Sequence, residues 1–224
     1  MKKEESNVDK YKDFQLSAEQ LDTLRELGNI GSGHAITALS DILRNEVDVS
    51  LTSLDMTSFW EIPRLFENFN SEVFGIYSQI KDQFDMAVIQ FFTKESVINL
   101  INILSDQENI SGDDIKSVSD LDELSRSIII EIGNILAGNY SNALADLMSI
   151  KLIPGIPKLA LDDINAMLEG IIARFSQVSD YSILIKTILK VKDTELFGII
   201  CLIPSIEILD NLFKALNVKF DLDL

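Results

Sequence analysis

Glu26 and Asn29 stand three residues apart, and Glu131 and Asn134 repeat the pair at an offset of 105 residues. On a helix, side chains at i and i+3 share one face, so each pair would project together. A carboxamide donates and accepts hydrogen bonds at once. It can therefore hold and orient a water molecule without becoming a nucleophile itself. A neighbouring carboxylate offers charge for docking a cation. One turn earlier on the same face lie Asp22 in the first pair and Ser127 in the second. A single Glu-x-x-Asn carries no signal, whereas two in register do.

The register extends beyond the pairs. Residues 26–43 align with 131–148 without a gap, and eight of those eighteen positions are identical: Glu26/Glu131, Gly28/Gly133, Asn29/Asn134, Ile30/Ile135, Gly33/Gly138, Ala38/Ala143, Leu39/Leu144 and Asp41/Asp146. Farther on, Asn99-Leu100-Ile101 through Leu104 resembles Asn211-Leu212-Phe213 through Leu216 at an offset of 112. The chain reads as two copies of one unit, about 17–105 and 119–217, within a single domain over 17–217. Short tails are expected at 1–16 and 218–224. A repeat this long implies a pseudo-twofold fold rather than a solenoid.

The elements that must carry the pairs are set by periodicity. Ser17 is a good N-cap with Glu19 and Gln20 behind it. Leu21, Leu24, Leu27, Ile30, Ala35, Ala38, Leu39, Ile42 and Leu43 then recur at helical spacing, which predicts a long helix over 17–44. Its counterpart is expected over 119–149. Strands are expected at 47–51, 72–80, 84–92, 150–153, 181–191 and 195–203. Further helices are expected at 94–104, 162–178 and 206–216, with a short amphipathic piece at 57–69 broken by Pro63. The polar linker Ser105–Asp120 separates the copies. The fold class expected is α+β, a mainly antiparallel sheet packed with the two long motif-bearing helices.

Mid-helix glycines weaken a helix by about 1 kcal/mol each relative to alanine, yet Gly28 and Gly33 recur as Gly133 and Gly138, with Gly31 extra. Either the helices cross the sheet tightly, or a partner's backbone approaches beside each Asn.

The pattern Asp/Ser-x-x-x-Glu-x-x-Asn, with Pro after twenty-two further residues, resembles the signature of the CheC/CheX/FliY phosphatases of bacterial chemotaxis. The second copy matches throughout: Ser127, Glu131, Asn134 and Pro157. The first matches at Asp22, Glu26 and Asn29 and carries Thr52 in place of the proline. The similarity covers about residues 15–217, and two copies favour the CheC type. It implies hydrolysis of the phosphoaspartate of a CheY-type response regulator. Such chemistry rests on positioning and charge, so Asn29 and Asn134 would orient the water while Glu26 and Glu131 pair with the receiver's active-site lysine. The Mg²⁺ would sit on the receiver; no metal site or cofactor of the chain's own is expected. CheD is an expected second partner, with helix 162–178 as part of its surface. A non-catalytic adaptor for CheD or phosphorylated receivers is the rival reading.

Composition narrows the field. A net charge of −17 argues against nucleic acid and an anionic membrane surface. It fits solubility, or an acidic face that steers a lysine-bearing partner. Cys201 is the one cysteine, set in an apolar run, so a buried thiol in a reducing compartment is expected. The N-terminus lacks an apolar signal region, and a cytoplasmic protein is expected. His34 is the one histidine, which excludes a His-rich metal site and a Ser-His-Asp triad. It reads as structural or as a helix-surface residue. Asp113-Asp114 and Asp162-Asp163 read as solvated acids or helix-start charges. Phe59 and Trp60 suit either the core or an exposed contact.

Overall fold

The structure is a computed structural model, described for residues 17–67, 71–81, 85–104, 110–175, 181–191 and 194–217. Both expected tails lie outside the described residues. So do the side chains of 49–60, which include Phe59, Trp60 and Thr52.

Helix α1 spans Ala18–Leu43 and helix α3 spans Glu123–Met148. Their caps stand at the same offset as their motifs. Ser17 opens α1 with a capping box, its Oγ accepting from Gln20 N at 3.3 Å while Gln20 Oε1 accepts from Ser17 N at 2.8 Å. Asp122 opens α3 by accepting from Ser125 N at 2.6 Å. Each helix closes on a left-handed residue, Arg44 at φ 50° and Ser149 at φ 54°, so neither end needs a glycine. The second helix starts later than the expected 119, because Val118–Asp120 forms a separate 3₁₀ turn before the Asp122 cap.

The remaining elements are β1 (Val47–Ser58), a 3₁₀ segment (Phe59–Phe66), β2 (Glu72–Lys81), β3 (Asp85–Thr93), α2 (Lys94–Leu104), β4 (Lys158–Asp163), α4 (Ile164–Phe175), β5 (Tyr181–Val191), β6 (Thr194–Pro204) and α5 (Ile206–Ala215). The strands form one antiparallel sheet in the order β1-β5-β6-β3-β2-β4. Exchanging the two halves (β1 for β4, β2 for β5, β3 for β6) reproduces this order reversed. The expected pseudo-twofold repeat is therefore built into the sheet, and its axis passes between β3 and β6.

The central strands of the sheet are buried on both faces. On one, α1, α3, α2 and α5 cover Val88, Phe92 and Ile200 with Leu24, Leu39, Ile132, Leu136, Leu100 and Leu212. On the other, the 3₁₀ segment and α4 cover Ala87, Ile89, Phe91, Ile199 and Cys201 with Ile62, Phe66, Ile164 and Leu168. Alternate residues of β3 thus enter alternate cores, as a pleated strand requires. Cys201 is buried, as its surroundings in the sequence imply.

One expected strand is displaced. Residues 151–153 are not in a strand; the second copy pairs at Lys158–Asp163 instead. Pro154 and Pro157 each lack the N–H that a ladder needs, and only Pro154 makes an isolated bridge, to Ile80. The first copy breaks its ladder at the same place. The register of β1 against β5 shifts between Leu51 and Ser53, which leaves Thr52, the counterpart of Pro157, at a bulge. Helix α4 also starts later than the expected 162, since Asp162 and Asp163 end β4. Asp163 Oδ1 accepts from Asn165 N at 2.8 Å, an Asx turn that hands the strand to the helix. The Ser71 hydroxyl, then that backbone N–H, hold its carboxyl below the usual carboxylate range.

Candidate functional site

Helices α1 and α3 pack antiparallel on the sheet. Gly31 and Ser32 meet Tyr140, and the end of α1 at Ile42–Asn45 lies beside the start of α3 at Leu124–Glu131. By that register Glu26 and Glu131 lie roughly fourteen residues apart along the paired helices, about 20 Å, and Asn29 and Asn134 roughly eight, about 12 Å.

The apolar stripe of each helix turns the motif outward. Leu24, Gly28, Gly31, Ala35 and Leu39 face inward from α1, as do Ile129, Ile132, Gly133, Leu136 and Tyr140 from α3. Asp22, Glu26 and Asn29 are consequently exposed; so are Ser127 and Asn134, while Glu131 is half-buried. No hydrogen bond or ion pair to another described residue engages the side chains of Glu26, Asn29, Glu131 or Asn134. Asp22 makes an exposed ion pair with Arg25 at 3.1 Å, which is worth little by itself. Pro157 is half-buried in the loop before β4 and shares no helix with the motif. His34 lies on the exposed surface of α1.

The two readings of the glycines divide between positions. A Cβ on Gly133 would lie 2.7 Å from the Ile76 side chain, and one on Gly31 would lie 2.9 Å from the Tyr140 ring. These are packing glycines that let the helices settle on the sheet and on each other. Around Gly33 and Gly138, by contrast, a Cβ would meet nothing within 4 Å. Each stands one turn beyond its Asn and leaves the helix surface bare there.

The surroundings of the second pair are shaped. Ser127, Ile128 and Glu131 border a cleft of about 720 Å³ with Leu124, the α1 end at Ile42–Asn45, and Ile103 and Leu104 of α2. Among the described residues no group of three or more His, Cys, Asp or Glu could hold a metal ion. No helix among them is long and apolar enough to cross a membrane. In α4, Ile164 and Leu168 are core residues, whereas Asn165, Ala166, Glu169 and Gly170 are exposed.

Three residues beneath the motifs were not singled out by spacing. Gln90 Nε2 donates to Gly133 O at 2.6 Å, Ser32 Oγ donates to Gly28 O at 2.9 Å, and Ser32 Oγ lies 2.7 Å from Tyr140 Oη. The readable signal was Gln90, one amide inside the apolar run 86–92. The Ser32–Tyr140 contact spans 108 residues and leaves no trace in local pattern.

The chain matches the model of the CheC-like family over residues 19–50 and 124–159. These two windows hold the motif helices and the segments immediately C-terminal to them. It is 31% identical over 211 residues to a protein of Bacillus subtilis (strain 168) described as CheY-P phosphatase CheC, covering 91% of this chain and 97% of that one. Among solved structures, Thermotoga maritima FliY superposes with a TM-score of 0.64 at 18% identity, over 91% of this chain and 98% of that one. The FliM–SpeE complex of H. pylori gives 0.64 at 17%, over 94% and 100%. At such identities the two structures speak to the fold alone.

Proposed function

The chain belongs to the CheC-like family, and on that premise we propose that it hydrolyses the phosphoaspartate of a CheY-type response regulator in chemotaxis. The observation that carries the reading is the pairing of a carboxylate with an exposed carboxamide on the same face of both motif helices, Glu26 exposed and Glu131 half-buried at a cleft, with no partner for these side chains among the described residues. A relative described as a CheY-P phosphatase, matched over nearly its whole length, supports it.

The chemistry asked of this chain is small. A receiver brings its own lysine and Mg²⁺, which neutralise charge on the phosphoryl group. What is missing is a water held in line behind phosphorus. Asn29 or Asn134, reaching into the receiver's pocket, accepts from the water and donates to it, fixing its attack direction. Positioning of this kind supplies much of the acceleration in phosphoryl transfer. Glu26 or Glu131 pairs with the receiver's lysine and sets the register of docking. The bare surface at Gly33 and Gly138 leaves room for the receiver's loops beside each Asn. Asp22 and Ser127 border the two pairs, and Pro157 and Thr52 act on the sheet behind them rather than on the phosphate.

The test is phosphate release from a phosphorylated CheY-type receiver with and without the chain. Asn29→Ala with Asn134→Ala should abolish the acceleration and leave the circular dichroism spectrum unchanged. Full acceleration by the double variant removes the catalytic assignment. The single variants report how the work divides between the sites.

A second reading, an adaptor that binds without catalysis, has support in the occurrence of this fold in a FliM–SpeE complex. The same assay separates the two, because an adaptor would bind the phosphorylated receiver without speeding its decay. CheD is a further proposed partner, and the exposed side of α4 is its proposed contact surface. Pull-down with Glu169→Lys checks that placement.

A further inference from the structure

In both halves, the carbonyl of the residue just before the motif asparagine is held by a buried side-chain donor, and the donors differ. In the second half, Gln90 Nε2 reaches up from the central strand β3 to Gly133 O at 2.6 Å. In the first, Ser32 Oγ donates to Gly28 O at 2.9 Å. That commits the serine's one proton, so in the 2.7 Å contact with Ser32 the Tyr140 hydroxyl is the donor. Gln90, Ser32 and Tyr140 are all buried. At the repeat offset, Ser32 corresponds to Ala137 and Tyr140 to Ala35. The α2-to-α5 offset, carried back into the strands, sets Gln90 against Leu202. Each half thus has one device where the other has apolar side chains.

Neither carbonyl needs the extra bond, since a mid-helix C=O already accepts from the N–H four residues on. Among the described residues Gln90 Oε1 moreover finds no hydrogen-bond partner, a penalty an apolar residue would avoid. Two unrelated solutions to one acceptor, one kept at a cost, point to what that peptide carries. The carbonyl of Gly28 and the N–H of Asn29 belong to one planar unit, as do those of Gly133 and Asn134. Holding the carbonyl holds the N and Cα of the asparagine, the point from which its side chain projects. We propose that Gln90 is a positioning residue for Asn134, and that Tyr140, acting through Ser32, is one for Asn29. This rests on the reading of the two asparagines as water-orienting groups.

The test reads each site alone. In an Asn29→Ala background only the second site works, and there Gln90→Leu lowers kcat for receiver dephosphorylation roughly tenfold with little change in KM. In an Asn134→Ala background the same substitution leaves kcat where it was. Ser32→Ala and Tyr140→Phe give the mirror pattern. Adding Ala137→Ser to Gln90→Leu places a hydroxyl four residues after Gly133, as Ser32 is placed after Gly28, and recovers most of the loss. A Gln90→Leu chain that slows both sites alike, or neither, overturns the proposal. If the wild-type chain does not accelerate dephosphorylation at all, it is the phosphatase reading that falls. The positioning claim is then decided by nuclear magnetic resonance. Gln90→Leu should shift the backbone and side-chain amide signals of Asn134 and not those of Asn29, and unmoved Asn134 signals overturn it.

Discussion

The ring of Tyr140 occupies the space that a side chain at residue 31 would need: a Cβ on Gly31 would lie 2.9 Å from Tyr140 Cδ1. The two motif helices therefore touch backbone to ring, and their spacing is set at a glycine. Gly31→Ala should destabilise the chain by about 1–2 kcal/mol in urea denaturation, because overpacking outweighs the better helix propensity of alanine. Gly33→Ala meets nothing within 4 Å and should stabilise by about 0.5–1 kcal/mol.

The same bare position should govern docking. Gly33→Leu, studied with Asn134→Ala so that only the first site acts, should raise KM for the phosphorylated receiver several-fold and leave kcat within about twofold. An unchanged KM would move the docking surface away from this turn.

Asp122 caps α3 through Ser125 N, and that hydrogen bond is the main reason its carboxyl sits below the usual carboxylate range. A folded-state value below the unfolded one means the stabilisation is fully present above the ordinary value of about 4 and is lost as pH falls through the folded value. Asp122→Ala should cost about 1 kcal/mol at neutral pH. Asp122→Asn keeps the cap and should flatten the fall in stability on acidification. Thermal melts from pH 7 downward check both.

Lys94 is nearly buried at the start of α2 and pairs with the half-exposed Glu72 at 2.9 Å. Removing the acid leaves a buried ammonium with a weaker partner, so Glu72→Gln should cost about 1–2 kcal/mol. Lys94→Met removes the charge along with its need for a partner and should come closer to neutral. Equal costs in urea denaturation would contradict this account.

Both long helices and their motifs were legible in the sequence, because an apolar stripe and a constant offset point the same way in both and Ser17 marks the first start; the second start was placed too early, because the short turn Val118–Asp120 precedes the Asp122 cap. The strands of the central sheet were legible as apolar runs. The edge strand Lys158–Asp163 was not. Its alternation is short, it pairs on one side only, and its two terminal acids imitate the start of a helix. The cleft beside Glu131 was equally hidden, since it gathers side chains from three helices distant in the chain. The outward turn of Asn29 and Asn134 could be read from periodicity, but the buried amide and hydroxyls beneath them could not, because those contacts are made across the fold.

The order β1-β5-β6-β3-β2-β4 means that the first strand of each half is hydrogen-bonded only to the second strand of the other. A ribosome that has released residues 17–105 has therefore delivered an edge with nothing to pair, and β1 must wait for Tyr181–Val191 to emerge. A polypeptide holding only one unit could complete the same ladder in one way, by trading that strand with a second copy of itself.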